Sequence, residues 1–410
     1  MAMNFSVGGN NGKKIVTEEE YDEIEELEEK EEEETSSSSK SSGSSDMKKI
    51  TRIMGLVILG FVGLLLIIFL LSLVTGGNKS YEDIENIMIS AAESYFNDHQ
   101  ESLPKKEGGT QTVDAAVLVA GGYMKELSKY TDSACSGSVK VEKAGGTYLY
   151  IPNLDCGDSY ASENLAAKIK QDNPVVSTGY GLYHKNGNYV FRGELVNNYV
   201  QLDNALWRIV KIVSGDEVVL VKDEPLGTLV PWDDRYNEVA NYNAGINNFA
   251  SSRIKESLLE LYTTKDETIT KSLLSNKDKS KMVGFNQCIG KRATTETGAE
   301  QAVECKEVAK DQKIGLLTAA DYMAASIDAK CTSPSNATCQ NYNYLITDVS
   351  WWLATSTTTS TYHTYIIDAN SGIKETNSNM YARIRPVIHL NTNVLYKSGN
   401  GTKDEPYITK

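Results

Sequence analysis

YVFRGELVNNYVQLDNALWRIVKIVSGDEVVLVKDE, residues 189–224, is the stretch that decides the fold. β-Branched and aromatic residues fill three short runs in it, and turn residues from Ser214 to Asp216 separate the last two runs. Such runs, bounded by Gly, Asn, Asp or Ser, are typical of strands joined by tight turns. The sequence therefore predicts a strand-rich domain around this stretch.

Segments downstream add helices and further strands. SSRIKESLLELY from Ser251 and TAADYMAAS from Thr318 are expected to be helices, with Thr318 as the N-cap and Asp321 three residues later. SWWLAT, YHTYIIDANSGIKE, YARIRPVIHL and a Gly-turned ribbon through residues 399–408 are strand-like. Together these segments predict a mixed α+β fold.

A smaller domain is expected before this one, over residues 80–160. Residues 81–96, YEDIENIMISAAESYF, place their apolar side chains on one stripe of a helix, and residues 113–129 are predicted to form a second helix that bends at its Gly-Gly pair. The runs SGSVKVEK and GTYLYIPNLDC predict a hairpin that turns at residues 144–146. A linker over residues 161–181 begins with the helical stretch ENLAAKIKQ.

A candidate membrane span precedes both domains. Residues 53–74, IMGLVILGFVGLLLIIFLLSLV, contain no charged side chain. As a helix, with about 1.5 Å per residue, the segment is about 33 Å long and matches the roughly 30 Å hydrocarbon core of a bilayer. The sequence predicts a single transmembrane helix within residues 47–77.

The residues that flank the span predict its orientation. Lys48, Lys49 and Arg52 lie directly before it, and only Lys79 lies close behind it. The positive-inside rule places such a basic collar in the cytoplasm. We expect an uncleaved signal anchor in the cell membrane, with residues 80–410 outside the cell.

An acidic tail forms the N-terminus. Of the chain's 55 acidic residues, 13 lie among the 17 residues from Glu18 to Glu34, and a serine-rich run follows. Residues 1–46 are predicted to be a disordered cytoplasmic tail, because like charges repel and the segment has little apolar surface. Either the tail has no dedicated partner or a short amphipathic helix in it docks on one. The formal charge of −14 argues against nucleic-acid binding, because no basic surplus is present.

All six cysteines follow the predicted span. An even number of cysteines confined to the exported side predicts disulfide bonds. Sequence alone leaves the connectivity open, and we expect nearest neighbours to pair. The expected pairs are Cys135 with Cys156, Cys288 with Cys305, and Cys331 with Cys339. No CxxC pair is present and no Cys lies near a His at zinc spacing, so a metal site is not expected.

The small domain resembles a known class of proteins. The order of apolar helix, AAxxY helix, CxGxVxV and YxxxxxLxC is similar to the globular part of pilin-like and pseudopilin-like surface proteins of Gram-positive bacteria, over residues 81–160. The chain departs from pilins because it lacks the GFTLIE-type processing site and the Glu inside the apolar helix, and Gly76 and Gly77 interrupt the helix that pilins keep continuous. The resemblance implies a stalk, not a subunit of a pilus.

The second domain also resembles a family. The segments YVFRGELVNNYVQLDNALWRIVKI, KIGLLTAADYMAAS, NYLITDVSWWLAT, RIRPVIHLNTNVL and GNGTKDEPYI occur in this order over residues 182–410. They resemble an uncharacterised extracellular domain of Gram-positive bacteria that is related to the C-type-lectin-like fold of formylglycine-generating enzymes. The resemblance implies that fold, and no activity.

Two loops resemble known metal sites. Formylglycine-generating enzymes hold copper with cysteines, but CTSPSNATC, residues 331–339, is expected to be a surface disulfide loop. Carbohydrate-binding C-type lectins use EPN-type and WND-type tripeptides for calcium. Glu224 with Pro225 and the segment from Trp232 to Asp234 resemble these tripeptides, but a solvated loop is the better interpretation.

A third loop, Asp368 to Gly372, resembles part of a calcium-binding loop. Flanking strands favour a hairpin turn in which Asn370 and Gly372 adopt positive φ. No GxSxG motif is present, and none of the four histidines has a partner at helical metal spacing. The histidines are His99, His184, His363 and His389. We therefore expect no catalytic, cofactor-binding or metal-binding residues, and no enzyme.

The remaining signal is aromatic. All four tryptophans lie in the last domain, and Tyr and Trp suit glycan stacking or protein docking. For Trp207 and Trp351 a core position is the better interpretation. Arg383 and Arg385 are expected to form a structural salt bridge and not an anion site. Two hypotheses follow: a membrane-tethered surface protein that binds a glycan or a protein ligand, or a transmembrane sensor or scaffold that uses the acidic tail.

Overall fold

A computed structural model describes residues 78–144, 147–263, 273–298 and 302–410. These residues have a mixed α+β fold and belong to one compact unit, as the sequence predicted for the fold class. Within them, no helix combines the length and hydrophobicity that a bilayer crossing needs. The predicted acidic tail, basic collar and membrane span lie outside the described residues.

The first part, residues 78–160, is here named the small lobe. The helix α1, Tyr81–Asp98, begins after the N-cap Ser80, whose hydroxyl accepts a hydrogen bond from the Asp83 N–H at 3.1 Å. Its apolar stripe packs on a three-stranded antiparallel sheet and forms a core of its own. The remaining elements are β1 Thr110–Asp114, α2 Ala115–Ala120, β2 Ser136–Ala144 and β3 Thr147–Asp155.

Two predictions for the small lobe have different outcomes. The β2–β3 hairpin is confirmed, although its turn residues 145–146 lie outside the described part. The helix predicted over residues 113–129 is present only as α2, Ala115–Ala120, because residues 110–114 form β1 and pair with β2. The helix α2 ends at Ala120 with Gly121 as its C-cap, and Gly122 adopts a φ of +78° that favours glycine.

The second part, residues 161–410, is here named the head. In chain order its elements are α3 Leu165–Asp172, β4 Gly181–Lys185, β5 Asn188–Arg192, β6 Tyr199–Leu202, β7 Ala205–Val213, β8 Glu217–Lys222, β9 Leu229–Pro231, α4 Arg253–Thr263, α5 Asn276–Lys279, β10 Met282–Val283, β11 Phe285–Cys288, β12 Val308–Gln312, α6 Ala319–Ala325, β13 Trp351–Ser356, β14 His363–Asp368, β15 Gly372–Asn377, β16 Tyr381–Arg383, β17 Val387–Leu390, β18 Tyr396–Ser398 and β19 Tyr407–Thr409.

Two larger sheets organise the head. The nine-stranded sheet has the order β10-β17-β8-β7-β6-β19-β18, and β5 joins β7 while β4 pairs with β5. The five-stranded sheet has the order β15-β14-β13-β16-β9, and every residue of β13 is buried. Apolar residues of both sheets and of α6 share one core. The strands and helices predicted for the head are therefore present.

Three disulfide bonds join Cys135 to Cys156, Cys288 to Cys305, and Cys331 to Cys339. The predicted nearest-neighbour pairing is confirmed, and no cysteine is free. The first bond joins the ends of the β2–β3 hairpin. Bonded pairs of this kind leave no thiolate to hold copper at residues 331–339.

Polar contacts join the head to the small lobe. Glu85 of α1 is buried and accepts a hydrogen bond from the Lys410 ammonium at 2.7 Å. Asn393 contacts both Lys140 and Glu142 of β2 through its side-chain amide. A cavity of about 290 Å³ lies at this junction.

Candidate functional site

All four tryptophans of the chain are fully buried. The core position expected for Trp207 and Trp351 is confirmed, and Trp232 and Trp352 are buried as well. The indole N–H of Trp232 donates to the Leu353 carbonyl at 3.0 Å, so the residue is satisfied inside the fold. Ligand stacking by tryptophan is excluded, and tyrosine is the aromatic residue that the head exposes.

Exposed tyrosines gather where the loop 234–245 meets the turn 377–381. The exposed fractions are 53% for Tyr236, 45% for Tyr242 and 64% for Tyr381. Two neighbouring apolar side chains, Val239 and Met380, are exposed as well. We name this set of five residues the tyrosine-rich surface.

Amide side chains fasten the loop to the turn. Asn377 Nδ2 donates to the Tyr242 hydroxyl at 3.3 Å, and Asn379 Nδ2 donates to the Asn243 carbonyl at 2.8 Å. The Tyr242 ring also lies 6.5 Å from the Tyr362 ring, centroid to centroid. The two segments that carry the tyrosine-rich surface are therefore joined to each other, although they are far apart in the sequence.

Buried Asp233 organises the loop from inside. Its carboxylate accepts hydrogen bonds from Arg235 Nε at 2.9 Å and from the backbone N–H of Ile246 at 2.9 Å. Gly245 has a φ of +85°, and a Cβ there would lie 2.1 Å from the Asp233 carbonyl oxygen. The solvated loop expected for residues 232–234 is wrong at Trp232 and Asp233, which are both fully buried. Asp233 hydrogen-bonds to both ends of the loop.

A carboxylate lies beside the tyrosine-rich surface. Glu375 Oε1 accepts hydrogen bonds from Thr357 Oγ1 at 3.0 Å, from Thr359 Oγ1 and from His363 Nδ1 at 2.8 Å. Burial alone raises the pKa of Glu375, but the hydrogen bonds from Thr359, His363 and Thr357 outweigh burial and hold this pKa below its ordinary value. Glu375 is therefore ionised at neutral pH.

A deep cavity lies elsewhere in the head, between α6 and the strands β4, β5 and β7. Its volume is about 430 Å³, and Tyr183, Arg192, Lys211 and Asp321 are among its lining residues. Lys211 Nζ donates to Asp321 Oδ1 at 2.8 Å, and both side chains are nearly buried. Burial alone raises the pKa of Asp321, but the contacts with Lys211 and with the N-cap Thr318 outweigh burial and hold this pKa below its ordinary value. A cavity of this size accommodates a small polar molecule.

Two weaker sequence candidates are structural. Asp368 Oδ1 accepts hydrogen bonds from the backbone N–H groups of Asn370 at 3.1 Å and Ser371 at 3.2 Å, which confirms the hairpin turn. Gly372 adopts a φ of +73°, but the positive φ expected for Asn370 is wrong.

The ion pair expected for Arg385 is wrong too. Its buried guanidinium donates to the carbonyl oxygens of Lys222, Leu345 and Asp223 at 2.6–2.9 Å. Burial lowers the pKa of Arg385 to about 10, so the group stays charged at neutral pH. This arginine is a structural link between chain segments and not an anion site.

Two histidines each contact a carboxylate that helical metal spacing did not predict. His363 Nδ1 hydrogen-bonds to Glu375 at 2.8 Å. His389 contacts Glu217, and its ring stacks on Phe285. Both carboxylates come from neighbouring strands, so strand register and not helical spacing brings the pairs together. Among the described residues, no cluster of three or more His, Cys, Asp or Glu side chains could hold a metal ion.

Comparisons with protein-family models, with curated proteins and with solved structures find no match to this chain.

Proposed function

We propose that the chain is a membrane-anchored bacterial cell-surface protein whose head binds a neutral polysaccharide through the tyrosine-rich surface. The observation that carries the proposal is the exposure of Tyr236, Tyr242 and Tyr381 on two segments that hydrogen-bond to each other, in a head whose tryptophans are all buried. Tyrosine supplies a large, stiff face together with a hydroxyl group, and suits stacking on sugar rings.

Uncharged hydrogen-bonding groups surround the rings and favour a glycan over a polyanion. Asn241, Asn243, Asn377 and Asn379 lie in the two segments that carry the surface. Arg235, the cation within the loop 234–245, forms an ion pair with Asp233 at 2.7 Å. An anionic polymer needs several available cations, whereas a neutral sugar needs amides and hydroxyls.

The resemblances are part of the proposal. We propose a C-type-lectin-like fold for the head and a pilin-like stalk for residues 81–160, anchored by a transmembrane helix over residues 53–74. Three disulfide bonds support export, because such bonds persist in oxidising compartments.

Binding is tested with the full chain in detergent on a panel of immobilised neutral polysaccharides. The variant Y236A/Y242A/Y381A removes the rings, and loss of buried aromatic contacts of this kind weakens binding by about tenfold or more. The matched control is Y180A/Y342A, which removes two exposed rings from a different part of the head. Equal binding by the two variants would contradict the proposed surface.

The proposed topology is tested on intact cells. Externally added protease should digest the head and spare the tail, residues 1–46, when both are followed with antibodies. Survival of the head on intact cells, with digestion after lysis, would contradict the orientation.

A sensor or scaffold is the second candidate, favoured by the contacts that couple the head to α1. The buried Glu85–Lys410 pair joins the head to the helix that follows the proposed membrane span. In this role the acidic tail engages a cytoplasmic partner. Deletion of residues 1–46 separates the candidates: surface display and glycan binding should persist in both, and a cellular phenotype is expected only for the sensor.

A further inference from the structure

Glu375 presents one carboxylate oxygen for a ligand. Three side-chain donors, from Thr357, Thr359 and His363, all lie on Oε1. Within the described part of the chain, no donor lies within hydrogen-bonding distance of Oε2. About a quarter of the side chain is exposed, so the carboxylate is within reach of water or of a ligand.

The register of β14 and β15 places Glu375 next to the tyrosine-rich surface. His363 of β14 lies opposite Asn377 of β15, and Glu375 lies two residues before Asn377, so all three share one face of the sheet. Asn377 in turn donates to the Tyr242 hydroxyl. A carboxylate, an amide and an aromatic ring therefore form a continuous strip that we name the Glu375–Tyr242 strip.

We propose that Glu375 is the specificity-determining acceptor of the proposed polysaccharide site, and that it selects neutral sugars with neighbouring hydroxyl groups over anionic polymers. This inference rests on the proposed function. One sugar ring stacks on Tyr242 while its hydroxyls, or those of the next sugar, donate to Glu375 Oε2.

Preorganisation makes the carboxylate effective. Thr357 is fully buried and Glu375 is held by three donors, so little side-chain freedom is lost on binding. Hydrogen bonds to an ionised acceptor are about twice as strong as neutral ones. The same negative charge repels phosphate and carboxylate groups, and the exposed loop acids Asp234 and Glu238 add to the repulsion.

The test compares E375Q with the native full chain and with E93Q in detergent. E93Q makes the same change of charge on an exposed position of α1. The probes are dextran, mannan and chitin oligosaccharides as neutral polymers, and hyaluronan and a glycerol-phosphate teichoic acid as anionic ones. We expect the native chain and E93Q to bind at least one neutral polymer better than either anionic polymer, and E375Q to bind it about tenfold more weakly.

A pH titration provides a readout that a structural role would not change. Glu375 faces His363 and Tyr365 of β14. Burial raises the pKa of Glu375, but the hydrogen bonds to its carboxylate outweigh burial and hold this pKa below its ordinary value. Native binding should therefore persist in mildly acidic solution and fall only as the carboxyl protonates, at a pH below the ordinary range of a glutamate. In E375Q the residual binding should lack this acid limb.

The outcomes are distinguishable. If Y242A abolishes binding while E375Q leaves both affinity and pH profile unchanged, the role of Glu375 is wrong and the proposed function stands. Preferential binding of hyaluronan or teichoic acid also overturns the role of Glu375. If the native chain binds none of the neutral polymers, the proposed function fails and the inference fails with it. If E375Q does not fold, the native pH profile alone decides, and binding that does not weaken in acid before the native chain itself unfolds overturns the inference.

Discussion

Replacement of Arg292 by methionine should destabilise the head strongly, because it removes one partner of a buried ion pair and leaves the other charged. Arg292 and Glu304 side chains are fully buried and form two parallel hydrogen bonds, Nε to Oε1 and Nη2 to Oε2, each of 2.8 Å. Glu304 Oε1 also accepts from the Ala320 N–H at 3.1 Å, in the first turn of α6. R292M leaves the Glu304 carboxylate buried without its cation.

The magnitude follows from this geometry. Removal of one partner of a buried pair costs about 3–5 kcal/mol of the free energy of unfolding. The double variant R292M/E304L removes both charges, and apolar replacement of a buried pair is often nearly neutral. It still leaves the Ala320 N–H without its acceptor, which costs about 1–3 kcal/mol. We therefore expect the double variant to be more stable than R292M.

Denaturation by guanidinium, followed by tryptophan fluorescence in detergent, measures the effect, because all four indoles are buried in the head. The control is R253M, which removes a cation from the exposed pair with Glu256. Such exposed pairs are worth about 1 kcal/mol or less. A loss below 1 kcal/mol for R292M, or a double variant less stable than R292M, would refute the reasoning.

Three further changes test other parts of the structure. Burial lowers the pKa of His389, so the neutral imidazole stabilises the fold above pH 6.5 and this stabilisation is lost as the pH falls through the lowered pKa. H389Q can still donate a hydrogen bond to Glu217 and should reduce the acid sensitivity of the melting temperature in thermal melts. G245A places a Cβ against the Asp233 carbonyl and should weaken polysaccharide binding while the far-ultraviolet circular dichroism is kept; unchanged affinity would contradict the role of this loop. The variant C331S/C339S opens a loop with a sequence separation of 8 and should lose about 2–3 kcal/mol in guanidinium denaturation, and thiol titration of the native chain should find no free cysteine.

Local signals account for the features that the sequence predicted well. The capping box at Thr318 and Asp321, the β2–β3 hairpin and the three disulfides join residues that lie close together in the chain. In each case the residues whose types carried the prediction are also the residues that contact each other in the fold. Short-range propensity and tertiary structure then agree, and the prediction needs no knowledge of the rest of the fold.

Features that depend on distant partners were missed. TQTVD, residues 110–114, has only weak strand character, and its pairing with β2 is what makes it a strand. Asp233 was predicted to lie in a solvated loop, because the backbone groups that hydrogen-bond to it, those of Ile246 and Arg253, lie 13 and 20 residues away in the sequence. The Glu375–His363 contact had a usable signal, since the predicted turn from Asp368 to Gly372 fixes the register of β14 and β15.

The proposed binding surface and the contacts to the small lobe use different sheets of the head. The Glu375–Tyr242 strip belongs to β14, β15 and the loop that packs on them, all at the five-stranded sheet. The junction with the small lobe uses Asn393, which follows β17, and Lys410, which follows β19, at the nine-stranded sheet. Both sheets share one core. The head can therefore keep the proposed ligand surface open while it is fastened to the small lobe, as the proposed role of a tethered binding protein requires.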